Sequence, residues 1–199
     1  MLMRRWGRRA RWCVWVLAAA AAALLVRVPQ EARGAAQFPR TTPHALAHAL
    51  ADFSAHPRLD PHIGAWTVEE EAGNYTWWRY AVRYACGARC EGRAVLQHEV
   101  GAPPGAGGRR SPRHGPADEH RLLLADSRCT RLPLLPWPWF CDDTEVETSI
   151  EAGAGGGAGG GARLRERARG SCGALHALLG RCDLRERRAR WLRALQEHF

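Results

Sequence analysis

Fourteen uninterrupted apolar residues run from Cys13 to Val26, and Arg4, Arg5, Arg8, Arg9 and Arg11 crowd the chain just before them. A bilayer core takes about 20 helical residues. A run this short therefore suits the apolar core of a signal peptide as well as a thin, Ala-rich anchor. Extended over residues 12–28, with Arg27 snorkelling to the interface, it serves as an anchor. Gly34-Ala35-Ala36 offers a small-residue cleavage site, but it lies far from the run, and the uncleaved anchor is the favoured reading. The leading arginines hold the N-terminus on the cytosolic or matrix side. The rest of the chain then lies in a lumen, the extracellular space or the intermembrane space. The Arg-rich, acid-free start also fits a mitochondrial presequence.

That compartment gives the cysteines their meaning. Beyond the run stand Cys86, Cys90, Cys129, Cys141, Cys172 and Cys182. An even count in a non-cytosolic domain predicts up to three disulfides. Zinc is disfavoured by spacing, because Cys86 and Cys90 form a close pair that no second pair answers. These two flank Gly87-Ala88-Arg89 and are placed to close a tight local loop. The segment between Cys172 and Cys182 reads as helix, and ten residues at a rise of about 1.5 Å span about 15 Å. Disulfide partners need Cα atoms within about 7 Å. On a continuous helix these two cannot bond to each other, and each is expected to pair with Cys129 or Cys141.

The periodicities outline the elements. Thr42-Pro43 is a cap-and-proline helix start, Leu46, Leu50 and Phe53 continue one face, and His56-Pro57 is expected to end the helix. Thr76 to Cys86 alternates, with Trp78, Tyr80, Val82, Tyr84 and Cys86 on one face. Arg93 to Val100 reads as its hairpin partner. Residues 101–119 read as a loop, Arg121 to Ser127 as a short strand, and Glu145 to Ile150 as another. The Gly-rich run at 152–162 reads as a linker. Beyond it two helices are predicted, one centred on Leu175, Leu178 and Leu179, the other capped by Asp183 and Glu186 and striped by Leu184, Trp191, Leu195 and Phe199. The sum is an α+β fold: an apolar anchor or signal, a helix, a small antiparallel sheet and a C-terminal helical hairpin, linked by disulfides. Its parts are residues 1–40 (basic tail, apolar segment and linker), 41–151 (the disulfide domain), 152–162 (the Gly-rich linker) and 163–199 (the hairpin).

The net charge of +9 invites a nucleic-acid reading, and its distribution argues against one. Residues 1–40 carry +7, residues 41–162 carry −4 and residues 163–199 carry +6, so the expected core is mildly acidic. A phosphate-tracking protein carries its basic stripe on the fold. No catalytic, cofactor or metal signature stands out. His44 and His48 have the spacing of a two-histidine metal edge but lack a third ligand. Asp142, Asp143, Glu145 and Glu147 lack the regular oxygens and glycine of a calcium loop. Ser127, Ser149 and Ser171 have no nucleophile-elbow context. Asn74-Tyr75-Thr76 is an N-glycosylation sequon at a strand start. PLLPWPWF at 133–140 reads as a rigid aromatic core segment fixed by Cys129 and Cys141. Alternatively, Trp137, Trp139 and Phe140 form an exposed platform for a partner or a membrane.

Leu50, His56-Pro57, Ile63-Gly64 and Gly92 before Ala94–Leu96 carry a resemblance. Residues 45–100 resemble the cytochrome c oxidase assembly factor 1 proteins and their relatives in the presequence translocase. That resemblance implies a short anchor, matrix on its N-terminal side, and a helix and small sheet in the intermembrane space. The six cysteines, PLLPWPWF and the C-terminal helices depart from it. Two expectations follow, both non-enzymatic and cofactor-free. One is a membrane-anchored or secreted, disulfide-bonded protein-binding domain of the secretory pathway; the other is an inner-membrane assembly factor for respiratory-chain complexes.

Overall fold

A computed structural model describes residues 11–16, 18, 26–74, 77–100, 119–131, 138–153, 161–174, 177 and 182–199, without the side chains of 131 and 138–140. Seven strands form one antiparallel sheet: β1 (Arg27–Phe38), β2 (Trp66–Gly73), β3 (Trp77–Ala85), β4 (Cys90–Val100), β5 (His120–Arg131), β6 (Pro138–Ala152) and β7 (Ala162–Gly173), in spatial order β1-β7-β6-β5-β4-β3-β2. The helices α1 (Pro43–Ala51), α2 (His56–Leu59) and α3 (Leu184–His198) lie on one face. The other face carries no described helix.

This overturns the expected small sheet with a C-terminal helical hairpin. Residues 27–38, read as the end of the anchor and a linker, are an edge strand. Its outward positions are polar or small while Ala32, Ala36 and Phe38 are buried, and Pro29 is tolerated because an edge strand needs only one side's hydrogen bonds. Residues 162–173, read as the end of the linker and the start of the helical hairpin, form β7 between β1 and β6. Arg163, Arg165, Arg167 and Arg169 point outward from it at the period of two that a strand imposes, and Ala162, Leu164 and Ala168 point in. The Gly-rich run therefore joins two neighbouring strands, with Gly153 N–H donating to Gly161 C=O at 2.6 Å. Gly34-Ala35-Ala36 lies inside β1 against Glu166, Arg165 and Leu164, so cleavage there would strip an edge strand from the sheet.

The helix starts follow the caps. Thr42 Oγ1 accepts the Ala45 N–H at 3.2 Å and Asp183 Oδ1 accepts that of Glu186 at 2.9 Å. His56-Pro57 does not end α1 but opens α2, with proline in the first turn, where its missing N–H costs nothing. The break between them is held from the sheet: the Tyr80 hydroxyl accepts from Phe53 N at 2.8 Å and donates to Ala51 C=O at 2.5 Å. The core joins Phe38, Leu46, Leu50, Ile150, Leu164 and Leu195, and Phe199 meets Phe38 edge-on. No helix among the described residues is long and apolar enough to cross a membrane. Residues 11–16 are helical and exposed, and most of the run Cys13–Val26 lies outside the described residues, as do residues 101–118 and the helix expected around Leu175, Leu178 and Leu179.

Three disulfides are formed: Cys86–Cys90, Cys129–Cys141 and Cys172–Cys182. The expectation that Cys172 and Cys182 cannot pair fails because its premise does. Cys172 ends a strand rather than opening a helix, so the chain turns back and brings the two Cα atoms within 6.1 Å. Cys129 and Cys141 are direct cross-strand partners. Such a disulfide set belongs to a domain that matures in an oxidising compartment. Replacing Cys172 or Cys182 with serine should lower stability by about 2–5 kcal/mol. Thermal melts under oxidising conditions should give the same loss for each single variant and for the double one.

Candidate functional site

The register lines up one row across the helix-covered face: Gly34 of β1, Glu166 of β7, Thr148 of β6, Leu122 of β5, His98 of β4 and Trp78 of β3. This row brings Glu166, Thr148 and His98 together under the helices. At its β7 end Arg188 of α3 grips Glu166 with two hydrogen bonds, Nε to Oε1 at 3.0 Å and Nη2 to Oε2 at 2.6 Å. The Glu166 side chain is wholly buried. The Arg188 guanidinium lies 4.2 Å from the Trp191 ring centroid, a cation–π stack that covers the pair's outer side. Gly34 leaves room here: a Cβ would lie 2.5 Å from Leu192 Cδ1 and press on the Glu166 side chain, and both would have to shift.

At the other end the row is a directional chain. Trp78 Nε1 donates to His98 Nδ1 at 2.8 Å. An indole N–H can only donate, so the His98 proton sits on Nε2. That Nε2–H points at His120 Nδ1, 3.2 Å away, and the two imidazoles stack at 5.3 Å. His44 approaches His120 edge-on at 5.7 Å. Adding a proton to His98 at Nδ1 would break its bond with Trp78. Burial holds its pKa down, to about 4, helped by His120, His44 and His48 and opposed by Glu99. His56 is lowered too, chiefly by burial, with its Nε2–H on Leu50 C=O at 3.1 Å.

A second polar group ties the α2–β2 connection to the sheet. Tyr84 donates to Asp126 Oδ1 at 2.5 Å, and Arg128 donates to Asp126 and to Asp60, each at 2.9 Å. Burial, then the Asp126 carboxylate, pushes the Tyr84 pKa up, so the phenol stays a donor. Gly92 faces this ring, and a Cβ there would sit 2.1 Å from Tyr84 Cζ.

Between α1, α2, α3 and the sheet lies a cavity of about 30 Å³ lined by Leu50, His56, Leu122, Leu124, Thr148 and Trp191. That is room for about one water, against the several hundred Å³ of a typical ligand site. Beside the cavity His56 is bonded to Leu50 C=O and Arg188 to Glu166, which fastens the helices to one another and to the sheet. On the open face a shallow hollow of about 470 Å³ has Val95 and Ala125 as its floor and Arg93, Ser127, Glu145 and Arg169 around it. Ion pairs lace this face, Arg167 to Glu31 at 2.8 Å and Arg121 to Glu147 among them.

The sequence-singled residues fall in scattered places. Asn74 is exposed at the tip of the β2–β3 hairpin, its Oδ1 accepting the Trp77 N–H at 3.1 Å. His44 and His48 sit exposed on α1, and among the described residues no group of three or more His, Cys, Asp or Glu is placed to hold a metal. Asp143 pairs with Arg27 at 2.6 Å and accepts from Ser127 at 2.7 Å. Trp137 and the side chains of Trp139 and Phe140 lie outside what the structure describes. Sequence reasoning missed Glu166, Arg188, His98, His120, Asp126 and Arg128. For all but Arg188, which lies on α3, the signal was polarity in the inward phase of an alternating strand.

The chain matches no known protein-family profile, and no curated protein matches it. Solved structures align with it loosely. Protein Mll3558 from Rhizobium loti shares 18% identity over 87% of this chain and 99% of its own, with a TM-score of 0.44. An uncharacterised protein from Rhizobium leguminosarum shares 10% over 86% and 95%, also at 0.44. Ara h 8.0201 shares 11% over 86% and 97%, at 0.41. No functional conclusion follows from likeness at this level.

Two outcomes are expected. Arg188→Leu should cost about 3–5 kcal/mol, because it strands a buried carboxylate, and adding Glu166→Leu should recover much of the loss; denaturant melts of both variants check this. His98 folds neutral, whereas in the unfolded chain it titrates at its ordinary 6.5. The unfolded state therefore takes up a proton first, and stability present above pH ~6.5 is lost as the pH falls towards ~4. His98→Gln should flatten that part of the melting curve's pH dependence, and His56, with the same sign, should retain the rest.

Proposed function

We propose that this is a non-enzymatic, disulfide-bonded domain of the secretory pathway, anchored through the apolar residues before β1 or secreted, that binds another protein. The observation that carries the reading is the position of Asn74. It stands exposed at a hairpin tip, at the opposite end of the sheet from all three disulfides. A sequon in that place can accept a glycan without disturbing the sheet. The disulfides give the oxidising compartment and the apolar run gives the route to it. The filled interior supports binding through a surface, and the open face of the sheet, with mixed charge around a small apolar floor, is a surface of the kind protein partners use.

The test is an endoglycosidase digest of the expressed protein beside an Asn74→Gln variant. The expected result is a mobility shift that the variant loses. Absence of a shift, together with protease protection inside intact mitochondria, would overturn the secretory reading in favour of the inner-membrane assembly factor.

A further inference from the structure

The three disulfides differ in what they hold. Cys172–Cys182 fixes the start of α3 to the end of β7, and its two cysteines are only 5% and 4% exposed. Cys86–Cys90 spans a turn that is closed without it. Cys86 N–H donates to Cys90 C=O at 2.9 Å and Cys90 N–H to Gly87 C=O at 3.4 Å. Gly87 supplies the positive φ, 116°, that the turn requires. From there β3 and β4 pair without interruption, Ala85 with Glu91 through Trp77 with Glu99. A cross-link stabilises less as the loop it closes shortens, and the separation here is 4 residues against 10 and 12 for the other two. Gly87, Ala88 and Arg89 are exposed and both cysteines half-buried, so a solvent-borne reactant can reach the turn. The charges differ too. Arg89 directly precedes Cys90 and makes no ion pair among the described residues. Glu91, one position on along β4, projects from the opposite face to Cys90. Beside Cys129–Cys141, by contrast, Arg128 is bound to Asp60 and Asp126, and Asp142 and Asp143 follow Cys141.

We infer that Cys86–Cys90 is a thiol-exchange site, a bridge that opens to an incoming thiol while the fold stays closed. This goes beyond the proposed function and holds whether the domain is anchored or secreted. A thiolate attacks one sulfur of a disulfide and expels the other, and a cation beside the leaving sulfur favours its departure as thiolate. The incoming thiolate bonds to Cys86 Sγ, the bond between the two cysteine sulfurs breaks, and its electron pair leaves on Cys90 Sγ, next to Arg89. A second thiol of the reductant then attacks the mixed disulfide at the reductant's own sulfur. That releases the oxidised reductant as a disulfide and frees Cys86. The two protons of the incoming thiols end on Cys86 and Cys90, so two thiols are oxidised and the bridge is reduced by two electrons. The reactant is a thiol, whether a small molecule such as glutathione or the dithiol of a partner protein.

The test uses the full chain, solubilised in mild detergent and reduced at neutral pH with glutathione or, separately, with thioredoxin. Samples quenched with iodoacetamide over time and mapped by mass spectrometry give the opening rate of each bridge, and near-UV circular dichroism of the same samples reports the fold. Cys86–Cys90 should open at least about ten-fold faster than either other bridge, with the folded signal kept. Arg89→Glu should slow the opening about three-fold or more, and Arg89→Lys should leave it unchanged. The faster of the two reductants identifies the reactant as a small thiol or a protein dithiol. Opening no faster than the other bridges, or only together with loss of the near-UV signal, would overturn the exchange site. An unchanged rate in Arg89→Glu would overturn the part assigned to Arg89.

Discussion

The pairing of β1 with β7 is the contact on which the rest of this structure depends. It joins residues 27–38 to residues 162–173, so this edge of the sheet forms only when segments far apart in sequence have met. β1 supplies Ala32, Ala36 and Phe38 to the core, and through Gly34 the ground on which α3 lies close. β7 supplies Glu166, the carboxylate that α3 must meet. Without that pairing, α3 loses the apolar floor that β1 supplies. Contacts of such long sequence separation form late and slowly. The Cys172–Cys182 bridge shortens the search for α3 by holding its start beside the end of β7.

Polar groups inside the molecule act in the same sense. Glu166 with Arg188 ties α3 to the sheet, while Trp78, His98 and His120 link three strands that their backbone ladders already hold in register. A buried ion pair contributes little net stability, but it admits few alternative geometries. The histidine chain is directional, because the tryptophan at its head can only donate. It therefore makes the fold sensitive to acid through a definite bond rather than through diffuse charge.

The legible part of the fold was the part with plain alternation. Trp78, Tyr80, Val82 and Tyr84 announced β3, and the caps at Thr42 and Asp183 announced α1 and α3. β7 was hidden because Glu166 occupies an inward position. A carboxylate in the apolar phase spoils the period of two, and the outward arginines then look like a solvated helix. β1 was hidden by Pro29, Gly34 and its alanines, which read as linker, although an edge strand tolerates all of them. The misjudged disulfide followed from the first error, since Cys172 had been placed on a helix. The candidate site was illegible for a further reason: Glu166 and Arg188 are 22 residues apart, as are His98 and His120. Only the register and the helix packing bring them together.

The placement of β7 and α3 sets Cys172 beside Cys182, at the end of the sheet where β1 begins. The most direct measurement is non-reducing peptide mapping by mass spectrometry of the protein expressed through the secretory pathway. The structure predicts three linked peptide pairs, Cys86 with Cys90, Cys129 with Cys141, and Cys172 with Cys182. Either of the last two cysteines found joined to Cys129 or Cys141 would contradict the placement of β7 and α3, and with it the single sheet.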